Sequence, residues 1–313
     1  MTLLIGSLQL GFLYSIMVMG IYISFRILNI PDLTTEGSFT FGLAFSTILT
    51  VMGHPFAGLL AALVSGGIAG IVTGLLQTKL GIHPVLAGIL TMSGLYSVNL
   101  FVMGGASNVT LLNSETIFNR FQAIFPAVSK EGARLIVSVL MAVIVLAALS
   151  LFFKTCLGLS IRATGDNADM VRASSINVNM VKCVALAISN GCIGLSGGLI
   201  AQYQSFADIN SGVGILVVGL ASVIIGEAFL RKRSVTIGFA SAILGSIVYR
   251  YIIAIATKSN FFPAYMLKLV SAIIVTLALA LPAMKVMTGE WQMKRRGLAA
   301  GREFESKGGG GDA

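Results

Sequence analysis

Residues 30–42, IPDLTTEGSFTFG, interrupt what would otherwise be one long apolar segment joining the runs at 3–28 and 37–52. A proline, which disfavours continuation of a helix, and two carboxylates, Asp32 and Glu36, lie in this stretch. Because a charge at the centre of a bilayer costs about 3 kcal/mol, we expect the stretch at the inner interface or beside a water-filled cavity. The pattern predicts a helix that breaks here and restarts as a shorter one.

The composition of the whole chain indicates a helical membrane protein. Of its 313 residues, 56% are hydrophobic and 11% are charged, whereas a soluble domain carries about 25% charged residues. A helical span needs about 20 apolar residues, and continuous apolar runs argue against the alternating pattern of a membrane β-barrel. We predict an all-α polytopic membrane protein with about nine transmembrane segments, at 3–28, 37–52, 56–77, 85–104, 134–153, 180–203, 212–226, 234–256 and 265–287.

Two of these segments, 37–52 and 212–226, are short for a complete crossing and are predicted to be short or broken helices. We expect residues 1–290 to form a single transmembrane domain. Residues 291–313 are expected to form a cytoplasmic, disordered tail, because they end in the low-complexity sequence ESKGGGGDA.

Basic residues set the expected orientation in the membrane. They cluster in the links 154–182 and 227–233 and in the C-terminal tail, and such clusters favour the cytoplasmic side. With nine crossings, the C-terminus then lies in the cytoplasm and the N-terminus outside. The net charge of +9 is explained by this orientation, so we expect a lipid bilayer and not nucleic acid as the partner of the basic residues.

Catalytic and metal-binding patterns are missing from the sequence. It has no G-x-x-x-x-G-K-[ST] phosphate loop, its three cysteines have no metal-ligand spacing, and its two histidines lie near span ends without a partner. We therefore predict a protein that is not an enzyme and has no cofactor, no catalytic residue and no metal site.

Two further patterns concern packing and the external face. Glycines recur every four residues at 66–74 and at 194–198, which predicts closely packed helices. The external segment 105–133 contains TIFNRFQAIF, an amphipathic stretch. We expect a helix that lies on the membrane interface, or alternatively a docking surface or external gate.

The cytoplasmic segment 158–182, GLSIRATGDNADMVRASSINVNMVK, has helical signals of its own. Asp166 or Asn167 suits the N-cap of a helix, and a weak ion pair can form between Asp169 and Arg172 three residues later. The pattern predicts a short cytoplasmic helix over 166–175, between spans five and six, with an apolar residue available to a partner.

This segment resembles the coupling-helix region of permease subunits of bacterial ABC importers of the branched-chain amino acid and ribose type. Their pattern runs roughly G-x-x-x-R-A-x-G-x-N-x-x-A-A-x-x-x-G-I-N-V, and it is matched by Gly158, Arg162, Ala163, Gly165, Asn167, Ile176, Asn177 and Val178. The polar interruption near the N-terminus is also similar, and the resemblance covers most of residues 6–285. The sequence departs from the pattern at Ser175, where the family usually has Gly, and in the basic link after span seven.

The resemblance implies a non-catalytic permease subunit of an ATP-driven importer in the bacterial plasma (inner) membrane, forming the pathway for amino acids or a similar small polar solute. The implied partners are two cytoplasmic ABC ATPase subunits, an extracytoplasmic solute-binding protein and a second permease copy. A homodimer is expected, with a paralogous permease as the alternative. The implied ATPase-coupling residues are Arg162, Gly165, Asp166, Asn167, Asp169, Met170 and Arg172.

Polar side chains within and beside the apolar runs are candidates for the translocation pathway, because such groups at membrane depth are costly and often functional. The alternative for each is a helix–helix hydrogen bond. The candidates are Asp32, Thr34, Thr35, Glu36, Ser38, Asn99 and Asn190. Other polar side chains in spans four and six have the same two interpretations, namely Ser93, Tyr96, Ser189 and Gln202. For the whole protein the alternative is an ion-coupled secondary transporter, in which 37–52 and 212–226 would be equivalent broken helices.

Overall fold

The computed structural model describes residues 2–230 and 234–258, together with the isolated positions 269, 272 and 276. The described residues form α-helices, one π-helical turn and a pair of short strands. In chain order these are α1 (Thr2–Tyr22), the π-helical turn (Ile23–Ile27), α2 (Thr35–Val51), α3 (Pro55–Thr78), α4 (Pro84–Val102), β1 (Asn108–Thr110), α5 (Ile117–Ile124), α6 (Lys130–Phe152), α7 (Cys156–Asp166), α8 (Ala168–Ala173), α9 (Val178–Gln204), β2 (Phe206–Asp208), α10 (Ile215–Phe229) and α11 (Val235–Lys258).

Six helices in the described residues are long and apolar enough to cross a membrane, which confirms an α-helical, multi-pass protein. They are Leu4–Ile27, Pro55–Thr78, Pro84–Val102, Lys130–Phe152, Val178–Gln204 and Val235–Lys258. The two short apolar runs form helices of 17 and 15 residues, α2 and α10. The ninth run, 265–287, falls almost wholly outside the described residues, as do the basic residues 231–233 and the tail 291–313. The finer count of nine crossings stays a prediction.

The polar stretch near the N-terminus breaks the helix, as its sequence predicts. The first span ends in the π-helical turn, residues 28–34 leave the helix, and α2 begins at Thr35. Asn29 has φ 54°, a left-handed conformation that asparagine tolerates better than most residues. The chain thereby changes direction before α2 without a glycine.

Helix α9 is the centre of the packing, because it is buried along most of its length and contacts α1, α2 and α3. The predicted glycine faces produce this packing. A Cβ on Gly66 would overlap the carbonyl oxygen of Asn190, and one on Gly70 would overlap that of Leu186. The backbones of α3 and α9 therefore lie in direct contact, and the packing predicted from the glycine spacing is confirmed.

The link between α4 and α5 and the link between α9 and α10 are joined by a feature that the sequence did not indicate. Strands β1 and β2 pair antiparallel, with Asn108 opposite Asp208. Helix α5 follows β1, and its first residues, Ile117 and Phe118, are buried, whereas Ile124 is exposed. The backbone N–H of Ile117 donates to Oε1 of Gln202, 3.0 Å away, so α5 is fixed to the end of α9 at its N-terminus.

The link between α6 and α9 forms two helices, and the second of them, α8, lies within the predicted range 166–175. Helix α7 extends to Asp166, and α8 comprises Ala168–Ala173. The physical reason is Asn167, whose extended backbone (φ −156°, ψ 100°) separates the two helices. Gly165 accordingly lies in the last turn of α7.

Candidate functional site

The break after α1 places Asp32 in the interior, where N–H donors hold both of its carboxylate oxygens. Asp32 is fully buried. Its Oδ1 accepts from the backbone N–H of Thr34 at 2.9 Å, and its Oδ2 accepts from Nδ2 of Asn190 at 2.6 Å. The same Nδ2 donates to the carbonyl oxygen of Leu186 at 3.0 Å. Two predicted pathway residues that are 158 positions apart in sequence are thus bonded to each other.

Threonine hydroxyls extend this cluster across three helices. The hydroxyl oxygen of Thr34 lies 2.7 Å from that of Thr73 on α3, and Thr73 donates to Thr91 on α4 at 3.0 Å. Thr35 donates to the carbonyl oxygen of Asp32 at 3.0 Å. Thr34 occupies the N-cap of α2 but makes no side-chain cap hydrogen bond; its hydroxyl bonds to α3 instead, and Oδ1 of Asp32 accepts from the backbone N–H of Thr34.

A cavity of about 520 Å³ lies beside the start of α2. Its lining residues are Glu36, Gly37, Thr40, Met92, Ser93, Tyr96, Asn99, Ile209, Gly212 and Val213. They come from α2, α4 and the loop that precedes α10. Oε1 of Glu36 accepts from the backbone N–H of Gly214 at 2.9 Å, and the backbone N–H of Leu216 also interacts with this carboxylate.

The structure divides the predicted pathway residues into two groups. Glu36 and Asn99 line the cavity, together with Ser93 and Tyr96 of the same span as Asn99. The others do not line it: Asp32, Thr34, Thr35 and Asn190 belong to the buried hydrogen-bonded cluster, and the Ser38 hydroxyl has no hydrogen-bond partner among the described residues. The role of both groups in transport stays a prediction.

Three apolar lining residues, Met92, Ile209 and Val213, are not among the polar candidates that the sequence offers. Val213 lies in the link before α10, and only the fold brings this link to α4. No signal in the sequence pointed to any of the three, because an apolar side chain in or beside an apolar run is ordinary.

Arg250 on α11 is a further charge within an apolar run, and it is not among the predicted pathway residues although the sequence carries a signal for it. It stands alone inside an otherwise uncharged apolar run. Its guanidinium carbon lies 3.6 Å from the centroid of the Tyr14 ring, a cation–π contact. Arg250 and Tyr14 line a second cavity, of about 470 Å³, which shares Val213 and Gly214 with the surroundings of Glu36.

The predicted coupling residues form an exposed corner. Oδ1 of Asn167 accepts from the backbone N–H groups of Asp169 and Met170 at 3.1 and 3.0 Å, so Asn167 is the N-cap of α8. Nη1 of Arg172 lies 2.9 Å from Oδ1 of Asp169, and both side chains are exposed. Met170 is 71% exposed, which leaves an apolar side chain at the tip of this corner.

Behind this corner, α7 rests against the broken end of the first span. A Cβ on Gly165 would overlap the carbonyl oxygen of Ile27, and Nδ2 of Asn29 donates to the carbonyl oxygen of Gly165 at 3.1 Å. Arg162 and Asp166 face Arg26 and Ile27 across a cavity of about 250 Å³. Arg26 also forms an ion pair with Glu227 at the end of α10.

Comparison with known proteins gives a consistent result. The sequence profile of the family described as "Branched-chain amino acid transport system / permease component" matches residues 3–280. A tyrosine transport system permease protein of Clostridioides difficile (strain R20291) is 37% identical over 278 residues, covering 88% of this chain and 90% of the relative.

More distant relatives are named for other solutes. An autoinducer 2 import system permease protein of Salmonella typhimurium is 28% identical and covers 60% of this chain and 51% of its own length. The ribose import permease protein of Escherichia coli (strain K12) is 26% identical, with 60% and 58% covered. No solved structure matches the chain.

Proposed function

The chain belongs to the family of branched-chain amino acid transport permease components, and from this premise we propose that its α7–α8 corner couples ATP hydrolysis on a separate subunit to the shape of the cavity beside Glu36. Permeases of ABC importers are multi-pass proteins of the bacterial plasma membrane, and this chain is one of them. The finer proposals concern the coupling residues, the solute, the partners and the orientation.

The observation that carries the proposal is a continuous series of contacts from the exposed corner to the cavity. Gly165 of α7 contacts the break after α1, through Ile27 and Asn29. Three residues further along the same break, Asp32 is bonded to Asn190 on α9. The break then continues directly into α2, whose second residue is Glu36. A displacement of α7 would therefore be transmitted to a wall of the cavity, and differential ATPase contacts in two states would shift their populations.

The exposed corner supports an ATPase as its partner. Met170 and the pair Asp169–Arg172 offer one apolar contact flanked by charges, which suits a groove on another protein. We propose two such ATPase subunits beneath a pair of permeases, a homodimer by preference because two-fold pairing is the commonest symmetry. An extracytoplasmic solute-binding protein would deliver the solute.

An amino acid is the solute that we propose. A relative that is 37% identical over 88% of this chain is named for tyrosine transport, and that name supports an amino acid more than a sugar. The proposed orientation follows the basic residues: the α7–α8 corner and the C-terminus lie in the cytoplasm, and the N-terminus lies outside.

The test is ATP-dependent uptake by the permease reconstituted with its ATPase and solute-binding protein. Arg162→Glu, Asp169→Arg and Met170→Asp are expected to leave insertion intact but to reduce uptake and substrate-stimulated ATP hydrolysis by about tenfold or more, because each alters the α7–α8 corner. Lys79→Glu, a charge reversal in the link between α3 and α4, is the control and should keep both activities.

Two outcomes would contradict the proposal. Normal coupling in all three corner variants would reject the assigned coupling residues. Uptake that proceeds without ATP and stops when an ion gradient is dissipated would favour the ion-coupled transporter instead.

A further inference from the structure

We propose that the cavity between α2 and α4 recognises the ammonium group of its solute, through the carboxylate of Glu36 and the side-chain oxygen of Asn99. The solute class would be a primary amine, such as an amino acid, and not a neutral sugar or a simple anion. This inference rests on the proposed function, because it takes the cavity to be part of the pathway. Its test measures chemical labelling within the cavity and does not require transport activity.

The charge of the cavity favours a cation. Among the described residues that line it, Glu36 is the only charged one. A carboxylate has about four lone-pair sites, and the backbone N–H groups of Gly214 and Leu216 occupy some of them. The remaining acceptor capacity belongs to a half-buried side chain, where a charge without a counter-ion is unfavourable. An ammonium group would supply that counter-ion.

Asn99 provides a second, independent observation. The residue is 2% exposed, and its Oδ1 has no hydrogen-bond partner among the described residues. Its Nδ2 lies 3.5 Å from the carbonyl oxygen of Gly37, and the opposite orientation of the amide would bring two oxygens together. Buried acceptors without a partner are uncommon. The partner that this oxygen requires is an N–H or O–H donor.

The remaining walls suit the rest of such a solute. Met92 is apolar, and Tyr96, which is 51% exposed, presents an aromatic ring. A cation is attracted to the face of such a ring. The hydroxyl of Thr40 donates to the carbonyl oxygen of Glu36 at 3.2 Å, and its oxygen can still accept from a donor in the cavity.

A simpler explanation accounts for only part of these observations. Glu36 stabilises the N-terminus of α10 through its contact with Gly214, as acidic side chains do at that end of a helix. This role explains one carboxylate oxygen. It leaves unexplained why a buried amide oxygen, that of Asn99, lines the same cavity without a partner.

The experiment measures the charge preference of the cavity with thiol reagents of opposite charge. Ser93 is exposed and lines the cavity, so Ser93→Cys serves as the reporter, with Cys156→Ser, Cys183→Ser and Cys192→Ala removing the native thiols. The full-length permease in lipid nanodiscs is reacted with aminoethyl methanethiosulfonate, a primary ammonium, and with sulfonatoethyl methanethiosulfonate, an anion. The rate of each reagent with the permease is divided by its rate with a small thiol compound in solution, which removes the difference in intrinsic reactivity.

We expect the ammonium reagent to react about tenfold faster or more than the anionic one, as a nearby carboxylate in a medium of low dielectric constant requires. Glu36→Gln keeps the shape and an acceptor for Gly214 but removes the charge, so it should abolish the preference. Glu115→Gln is the matched control: it removes a carboxylate that is ion-paired to Arg120 in the exposed external segment, and the preference should be unchanged.

A second measurement tests recognition of the solute. Labelling of Ser93→Cys by a neutral maleimide should be slowed by tyramine, which carries an ammonium group, but not by 3-(4-hydroxyphenyl)propionate or ribose. Asn99→Leu should weaken the protection by tyramine. Equal protection by all three solutes, protection by none, or a charge preference that survives Glu36→Gln would overturn the inference. ATP-dependent uptake would still stand in that case, so the proposed function is tested separately.

Discussion

Asp32 shows how a carboxylate is accommodated inside this protein. Its two oxygens accept from the backbone N–H of Thr34 and from Nδ2 of Asn190, and a buried carboxylate held in this way satisfies the donors around it. Removing the acceptor leaves those donors unpaired in the interior. The free-energy cost of an unpaired buried donor is larger than the net stabilisation that its hydrogen bond provided.

We therefore expect Asp32→Ala to lower the free energy of unfolding by about 3 kcal/mol, measured by thermal unfolding in detergent. Asp32→Asn should cost about 1 kcal/mol, because the Asn190 amide can rotate and offer its Oδ1, which has no partner within the described part of the chain. A loss in Asp32→Asn as large as that in Asp32→Ala would mean that the charge itself is required for the fold.

Ser175 is strained at a position where the permease pattern usually has Gly. Its φ is 61°, a left-handed conformation that costs most residues about 1–2 kcal/mol. Ser175→Gly should raise the free energy of unfolding by about 0.5 kcal/mol, since the greater freedom of Gly in the unfolded chain offsets part of the relief. Ser174→Gly, at φ −82°, is the control and should lower it. A loss of stability in Ser175→Gly would contradict the strain argument.

At the scale of elements, the contact between α3 and α9 depends on the faces of the two helices. Gly70→Ala should destabilise the protein by about 1–3 kcal/mol, because the added Cβ would overlap the Leu186 carbonyl oxygen. Gly67→Ala is the matched control on the same helix: its Cβ would meet only the Ala187 carbonyl oxygen at 3.5 Å. Its stability should be unchanged or slightly higher. Equal unfolding temperatures for both variants would contradict close packing along this face.

Elements that bury one long apolar run were predictable, and those defined by distant contacts were not. The six long helices coincide with predicted runs, and the break at 28–34 follows from its proline and carboxylates. The pairing of β1 with β2 was not predicted, because each strand has three residues and distant parts of the chain supply them. The full extent of α7, in the link between α6 and α9, was likewise not predicted, since the conformation of Asn167 decides where α7 ends.

The polar residues of the candidate site were predictable from the sequence, but their division between the cavity wall and the buried cluster was not. A search for polar groups in apolar runs finds Glu36 and Asn99, but it also finds Asp32 and Asn190, and sequence does not distinguish a cavity wall from a buried hydrogen bond. That distinction depends on where the loop before α10 lies. Arg250 could have been found by the same search, because a lone arginine in an apolar run is unusual.

At the scale of the whole molecule, the orientation in the membrane can be tested with a native cysteine. Cys156 is exposed on α7, and Asn113 is exposed in the segment before α5. In intact spheroplasts, an impermeant maleimide should label Asn113→Cys but not Cys156, and Cys156 should react only after the membrane is permeabilised. The reverse pattern would place α7–α8 outside and exclude a role in contacting cytoplasmic ATPases.

The coupling of the α7–α8 corner to the cavity is the central claim, and the reactivity of Ser93→Cys in the assembled transporter tests it most directly. The complex of permease, ATPase and binding protein is labelled without nucleotide and after trapping with ADP and vanadate. We predict that trapping changes the labelling rate by about tenfold, the effect of a shift of about 1.4 kcal/mol between two states. In Gly165→Val, where a side chain would collide with Ile27, the change should disappear. Equal rates in the two states of the parent, or an undiminished change in Gly165→Val, would contradict the account.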